Sequence, residues 1–393
     1  MTNLFPVRRR QFLLGSAGLA GATMTGLPAL AQDSGQLPAY VAWKNADDMI
    51  VHTEETLETV RAAQGDALVT PSTDLYIRNN LPAPSDEIVA DPDAWELSIE
   101  GVAQPSTVTL ADLKLLGSET VVAVLQCSGN GRAFFDHEAS GSPWATGAAG
   151  NVIWTGVPVR DVVEAMGGIA DGMAFLTGTG GEEIPEGLPP ETIQVERSVP
   201  LDAMEHAILA WHMNGEPVPL AHGGPLRLIV PGYYGVNNVK YLKRLAFTAE
   251  ESPAKIQQTG YRVRPVGVAG DPSQPSMWEM SVKSWITGPL EGASAGRVRI
   301  AGLAMGGTSA ATGVEVSTDG GETWQAAEFL GPDLGAFAWR PFVLIADLEA
   351  GIHTLASRAT NANGDTQPED FEPNERGYAH NGWRGHAVEV TVG

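Results

Sequence analysis

From Ser276 onward the chain is written in short runs of strand length, and no other feature restricts its fold as much. Residues 298–300, 314–317, 342–345, 353–359 and 388–392 alternate apolar and polar side chains or stay apolar over a few positions. Runs this short fill a strand but not a helix. Turn residues separate them, notably Asp319-Gly320-Gly321. Regularly spaced short strands with tight turns close into two packed sheets, so residues 276–393 are expected to form an immunoglobulin-like β-sandwich. Asp319 opens a turn rather than a calcium loop, because the spaced acidic ligands and closing glutamate of such a loop are missing.

Upstream the texture changes. Apolar runs at 95–99, 121–125, 226–230 and 245–247 suit strands, whereas 159–166 and 201–210 have helical spacing and capping residues. Residues 68–250 therefore read as one mixed domain, and the fold class as α+β. The stretch 251–275 is rich in Gly, Pro and Gln and reads as a linker able to carry site residues. Residues 32–67 read as an extended arm with a short helix near 54–63. The many Gly (46) and Pro (27) agree with a strand- and loop-rich protein rather than a helical bundle.

The first 31 residues read as a targeting segment. Arg8-Arg9-Arg10-Gln11-Phe12-Leu13 is a twin-arginine pattern, and Ala29-Leu30-Ala31 offers a small-residue cleavage site. The weakly apolar run between them is Gly-rich and Pro-interrupted, unlike a spanning helix. The mature protein is thus expected in the periplasm, exported folded by the twin-arginine route, with no membrane anchor after cleavage. Folded export suits a chain that takes up a cofactor beforehand. A net charge of −23 speaks against a nucleic-acid partner, because binding a polyanion needs Lys and Arg at its phosphates.

Exported proteins usually commit their cysteines to disulfides, yet this chain has Cys127 alone. A lone thiol in an oxidising compartment has to be buried or bound. Cys127 ends the apolar run from Val121 and opens the loop Ser128-Gly129-Asn130-Gly131-Arg132. A neighbouring guanidinium favours thiolate, the form a soft metal binds. One cysteine cannot make a conventional zinc or iron–sulfur site, which needs several protein ligands. A metal carried by an organic dithiolene cofactor fits that stoichiometry; a buried core cysteine is the alternative.

Cys127-Ser-Gly-Asn-Gly-Arg132 resembles the Cys-Ala-Gly-Asn-x-Arg motif of sulfite oxidases. Trp144-x-x-Gly147-x-x-Gly150-Asn151-x-x-Trp154 is similar to the stretch that follows it in that family. Further likenesses come in family order: Tyr76-Ile-Arg78-Asn79-Asn80, Met213-Asn-Gly-Glu-Pro-Val-Pro, His222-Gly-Gly-Pro-Leu-Arg227, Val239-Lys240-Tyr-Leu and Val314-Glu-Val-Ser-Thr-Asp-Gly-Gly-Glu-Thr-Trp324. The resemblance implies a molybdopterin domain followed by a dimerisation domain. It makes Cys127 the thiolate ligand to molybdenum, and it places Asn79, His222, Arg227 and Lys240 on the pterin and its phosphate. Arg78 and Arg132 would line an oxyanion pocket. Tyr261, in the linker, would stand at the metal's open side to hydrogen-bond substrate and move a proton; Tyr233 and Tyr234 compete for that role. Two departures are visible: Asn80 replaces a histidine, and Trp383-Arg384-Gly385-His386 shifts a C-terminal basic residue by one, which leaves Arg384 open as a third pocket cation.

The activity so implied is oxidation of sulfite to sulfate by a molybdenum-molybdopterin oxidoreductase. No Cys-x-x-Cys-His and no His-Pro-Gly-Gly is present, so no haem or flavin is expected in this chain and electrons should pass to a separate c-type cytochrome. A homodimer is expected, or a heteromer with a cytochrome subunit. Competing readings are the molybdenum subunit of a sulfane dehydrogenase acting on carrier-bound sulfur, a nitrate- or sulfoxide-reducing relative, and a non-catalytic periplasmic binding protein.

Overall fold

The computed structural model describes residues 37–393; the twin-arginine segment lies outside the described residues. The first domain is organised around the strand Glu119–Gln126, whose β-branched run suits a half-buried ladder. It pairs antiparallel with Ala149–Pro158, with Gln126 opposite Ala149. Ala149–Pro158 pairs in turn with Ile208–Met213, which also takes up Arg227–Ile229. A second sheet has Leu242–Thr248 between Glu96–Glu100, its parallel neighbour, and Phe175–Gly180, its antiparallel one. Leu97, Ile99, Leu176, Leu245 and Phe247 from that sheet pack with Val159, Val162 and Val163 of the helix Val159–Ala165. These three valines share one face at helical spacing.

Two local expectations fail. Residues 201–210 are not a helix: Leu201–Glu205 is a tight 3-10 turn, and Ile208–Met213 is a strand. Ile208 has strand partners on both sides, Pro158 and Ile229, and ladder pairing overrides local helical spacing. Residues 54–63 are helical only at their end. Thr56–Thr59 pairs with both Met49–Thr53 and Ile77–Arg78, leaving helix only at Arg61–Gln64. The expected arm is therefore a three-stranded sheet from residue 49, fully part of the domain.

The second domain is a β-sandwich. One sheet runs Lys283–Gly288, Gly296–Met305, Arg340–Leu348 and Glu328–Phe329; the other has Gly351–Asn361 between Val388–Val392 and Ala311–Ser317. Ile286, Ile300, Val316, Phe342, Leu355 and Val390 fill the space between the sheets. At the turn after Ala311–Ser317 the Asp319 carboxylate accepts from the Thr323 hydroxyl, from Thr323 N (2.9 Å) and from Ser317 Oγ (2.7 Å), which hold it down to about 2.

The two domains share a core. Val124 and Ala149 of the first pack with Trp285, Leu303, Met305, Trp339 and Tyr378 of the second. Hydrogen bonds cross the same boundary. Arg61 donates to the carbonyls of Ile286 and His386, both at 2.7 Å, and Trp285 Nε1 donates to Gln64 Oε1 at 3.0 Å. Lys283 Nζ reaches the Asn130 carbonyl (3.0 Å), inside the loop that follows Cys127.

Candidate active site

Cys127 follows the last residue of its strand, and its N–H still donates to Ala148 O (2.9 Å). The loop then folds tightly, with Asn130 N bonded to Cys127 O (3.0 Å) and Arg132 N to Gly129 O (2.9 Å). Asn130 fastens it from within: its side chain donates to Gln126 Oε1 (3.0 Å) and accepts from Ala148 N (3.1 Å). Glycine at 129 leaves room for the Arg132 guanidinium, which folds over it and would have to shift for any side chain there. The thiol is thus held in one place, buried at 8% exposure, on the wall between two cavities.

The inner cavity is lined by Arg78, Asn79, Cys127, Ser128, Glu182, His222, Arg227, Asn238, Lys240, Tyr241 and Tyr261 among others. All five residues expected on the cofactor meet here: Asn79, Cys127, His222, Arg227 and Lys240. Lys240 is not a solvated strand edge; its ammonium donates to Asn79 Oδ1 and Ala221 O. Arg227 donates to His222 O (2.7 Å) and Asn238 O (3.2 Å). Burial, with Arg227 beside it, holds the Lys240 amine well below its ordinary range. Burial also pushes the His222 imidazole down, with Lys44, Lys240 and Arg227 adding to the effect. Gly223 adopts φ 101° and Lys240 lies directly against it, so any side chain there would displace the lysine.

Several buried polar atoms around this cavity have no partner among the described residues: His222 Nε2, Tyr241 Oη, Ser128 Oγ and Glu182 Oε2. Native proteins rarely bury such atoms unsatisfied, so each points to a ligand group. Tyr241 is also held at φ 50°, an unfavourable backbone for an aromatic residue. Cations, hydrogen-bond donors and one thiol facing a common space suit a polyanionic pterin phosphate with a thiolate-ligated metal. Glu182, whose carboxyl burial pushes up to about 7, adds a group for a heterocyclic amine; the sequence reading missed it.

The outer cavity opens to solvent and shares Arg78, Asn79, Asn80, Cys127 and Tyr261 with the inner one. Its further walls include His52, Arg132, Trp144, Arg376 and Tyr378. Arg78 is steered by its own neighbours, donating to Asn79 O and to Asn80 Oδ1 (2.7 Å). Asn80 is thereby an anchor for the arginine. Arg132 donates to the carbonyls of Ser142 (2.7 Å) and Arg376 (2.8 Å). Among the described residues no carboxylate lies within ion-pair distance of Arg78, Arg132 or Arg376. Three guanidiniums without counter-charge make a pocket for a small anion.

Arg376 answers the question left open at Arg384. Arg384 lies outside both cavities, 56% exposed, and pairs with Glu369 and Asp370. Arg376, eight residues earlier, takes the third position in the outer cavity. Tyr261 lines both cavities, delivered by the π-helical turn Ile256–Gly260 through its N–H to Ile256 O (3.2 Å). Tyr233 and Tyr234 pack in hydrophobic cores and line neither. His52 also went unnoticed in the sequence; it bonds Glu58 (2.8 Å) and stands edge-on to Trp144 at 5.0 Å.

Comparison with known proteins adds the family. Residues 82–256 match the model of the oxidoreductase molybdopterin binding domain, and 274–392 match the Mo-co oxidoreductase dimerisation domain. The mitochondrial sulfite oxidase of Mus musculus is 33% identical over 375 residues, covering 88% of this chain and 67% of that protein. Sulfite oxidase of Gallus gallus is 32% identical over 339 residues, covering 80% of this chain and 72% of its own. The chain therefore spans about two thirds of the length of the mouse relative. The crystal structure of the sulfane dehydrogenase SoxCD from Paracoccus pantotrophus superposes with a TM-score of 0.73 at 24% identity, covering 88% of this chain and 89% of that one, and shows the shared fold.

Proposed function

This chain belongs to the sulfite oxidase family, with a molybdenum-molybdopterin cofactor, and on that premise we propose that it oxidises sulfite to sulfate and passes the electrons to a separate c-type cytochrome. One observation carries the reading: the Cys127 thiol stands between an inner cavity built for a polyanionic cofactor and an outer one lined by three unpaired guanidiniums. When bound, the molybdenum group supplies the two-electron chemistry and the oxygen atom that sulfur gains.

Within the inner cavity Lys240, Arg227, His222 and Asn79 hold the pterin and its phosphate, and Cys127 ligates the metal. In the outer cavity Arg78, Arg132 and Arg376 take the oxygens of the dianion through their forked N–H groups, which leaves its sulfur turned toward Cys127. Hydrogen bonds to backbone carbonyls and Asn80 fix the forks of Arg78 and Arg132 before substrate arrives, so little ordering of these two is needed on binding. Tyr261 presents a phenol at the meeting of the two cavities, where it donates a hydrogen bond to substrate oxygen and relays a proton outward.

The reading includes export to the periplasm by the twin-arginine segment and dimer formation through the second domain. The acceptor is proposed as a basic cytochrome, drawn in by a net charge of −23, with reduction rates that fall steeply as salt rises. Metal and pterin analysis of the periplasmic protein, joined to a sulfite:cytochrome c assay, tests the whole. A correctly exported protein without molybdenum sinks it.

A second reading is favoured by the size of the outer cavity. Its mouth is open to solvent and its walls run from His52 to Tyr378, wider than a sulfite ion needs, so a carrier-bound sulfane has a way in. Turnover of free sulfite without any carrier protein decides for the first reading; turnover that requires the carrier decides for the second.

A further inference from the structure

We propose that Tyr378 is a positioning residue of the substrate pocket: its ring holds Tyr261, Arg132 and Arg376 in the arrangement that binds an oxyanion. The proposal rests on the oxyanion reading of the outer cavity and assigns to the second domain a part in it.

Tyr378 is 2% exposed, yet it lines the outer cavity. Its ring lies parallel to that of Tyr261, centroids 5.2 Å apart and planes inclined by 7°. A pair this far apart and this nearly parallel is the offset stack that aromatic quadrupoles favour. The same ring faces two guanidiniums, with Arg132 Cζ 5.6 Å and Arg376 Cζ 6.0 Å from its centroid. Tyr378 therefore touches the phenol and two of the three cations. These contacts are made by the ring, so its shape matters rather than its hydroxyl.

The ring is held as firmly as a positioning role requires. Asn374 clamps the Tyr378 backbone from both sides, accepting from its N–H (2.9 Å) and donating to its carbonyl (2.8 Å). The next residue, Ala379, sits at φ 60°, a left-handed backbone that alanine rarely adopts. Its N–H donates to Ser128 O (2.8 Å), the residue after Cys127. The loop carrying Tyr378 is thus tied to the loop carrying the metal ligand. Arg197 approaches the Tyr261 ring as well, at 5.7 Å, and is itself tied to Asn237, Ile256 O and Ser276. Take away the Tyr378 ring and Tyr261 keeps Arg197 but loses its stacking partner, while Arg132 and Arg376 lose a shared backing.

The test uses the holoprotein as wild type, Y378F and Y378L. Sulfate, the tetrahedral dianion that the reaction would release, is titrated in by isothermal calorimetry. Molybdenum content and steady-state sulfite oxidation are measured on the same samples. Y378L is expected to bind sulfate about tenfold more weakly, the scale of one aromatic stack plus cation–π contacts, with a parallel rise in KM. Its kcat should change less than its KM and its molybdenum content should stay at the wild-type level, since the inner cavity is untouched. Y378F keeps the ring and should recover most of the lost affinity. If Y378L fails to fold, Y378M, unbranched and flexible, carries the same expectation. Wild-type sulfate affinity in the aliphatic variant overturns the proposal, and so does a Y378F as impaired as Y378L. If the wild type binds sulfate but does not oxidise sulfite, the proposed activity falls while the calorimetric comparison still decides the part played by Tyr378.

Discussion

Asn79 and Lys240 lie 161 residues apart in the chain, and the lysine ammonium donates to the asparagine amide at the edge of the inner cavity. One comes from the end of a short strand, the other from a loop that enters the second sheet, so the pair closes the cofactor space from opposite sides.

Lys240→Met should therefore lower cofactor retention without unfolding the protein. Loss of a charge-assisted contact is worth about 1.5–3 kcal/mol, or roughly 10- to 100-fold in affinity. Molybdenum per protein after dialysis measures it, with Asn79→Ala expected to go the same way to a smaller extent. Full occupancy in both variants would remove Lys240 from the cofactor site.

Cys127→Ser should fold, because the side chain is small and buried and nothing hangs on it beyond its backbone bonds. Sulfite oxidation should disappear and any thiolate-to-metal absorption with it. A serine variant that turns over normally contradicts metal ligation by Cys127.

The two C-terminal arginines should separate cleanly. Arg376→Met ought to raise the KM for sulfite about tenfold or more, the cost of one charge-assisted contact to the dianion, at unchanged molybdenum content. Arg384→Ala ought to leave KM within about twofold, since its partners are surface carboxylates and exposed pairs contribute little. Steady-state kinetics on the two variants suffices, and the reverse order would refute the pocket as described.

Stability should fall in mild acid. His380 is held down to about 3 by burial first and the nearby Lys283 second, against an ordinary value of 6.5, and burial depresses His386 too. The folded state therefore carries fewer protons than the unfolded state between about pH 6.5 and 3, so stability is complete above that window and is lost as pH falls through it. Each such histidine contributes a slope of about 1.4 kcal/mol per pH unit. His380→Phe keeps the packing against Phe134 and Phe135 and should flatten the decline. Denaturant melts from pH 7 to 4 would show it; an unchanged slope would place the acid sensitivity elsewhere.

Most of the inner cavity was legible because its residues sit in short contiguous motifs whose neighbours fix their direction. Arg78 and Asn79 are neighbours at one strand end, and His222 and Arg227 belong to one turn-and-strand unit. Arg376 and Tyr378 were not legible. They stand in an acid-rich loop of the second domain, and only the packing of that domain against the first brings them to the site. The sequence does carry a weak signal there: Arg376 is the lone Lys or Arg between Arg358 and Arg384, followed by a glycine and an aromatic residue. Glu182 was hidden for a similar reason, since its loop has no motif and its burial depends on Lys240 and Tyr241. The misread helices at 54–63 and 201–210 are cases where local spacing lost to pairing partners far along the chain.

The bonds from Lys283 to the Asn130 carbonyl and from Ala379 to the Ser128 carbonyl tie the sandwich to the loop that follows Cys127. Replacing residues 276–393 by a sandwich of another lineage would remove the wall of the outer cavity that carries Arg376 and Tyr378. That wall is in this sense inherited with the sandwich, and a hybrid gene could exchange neither without the other.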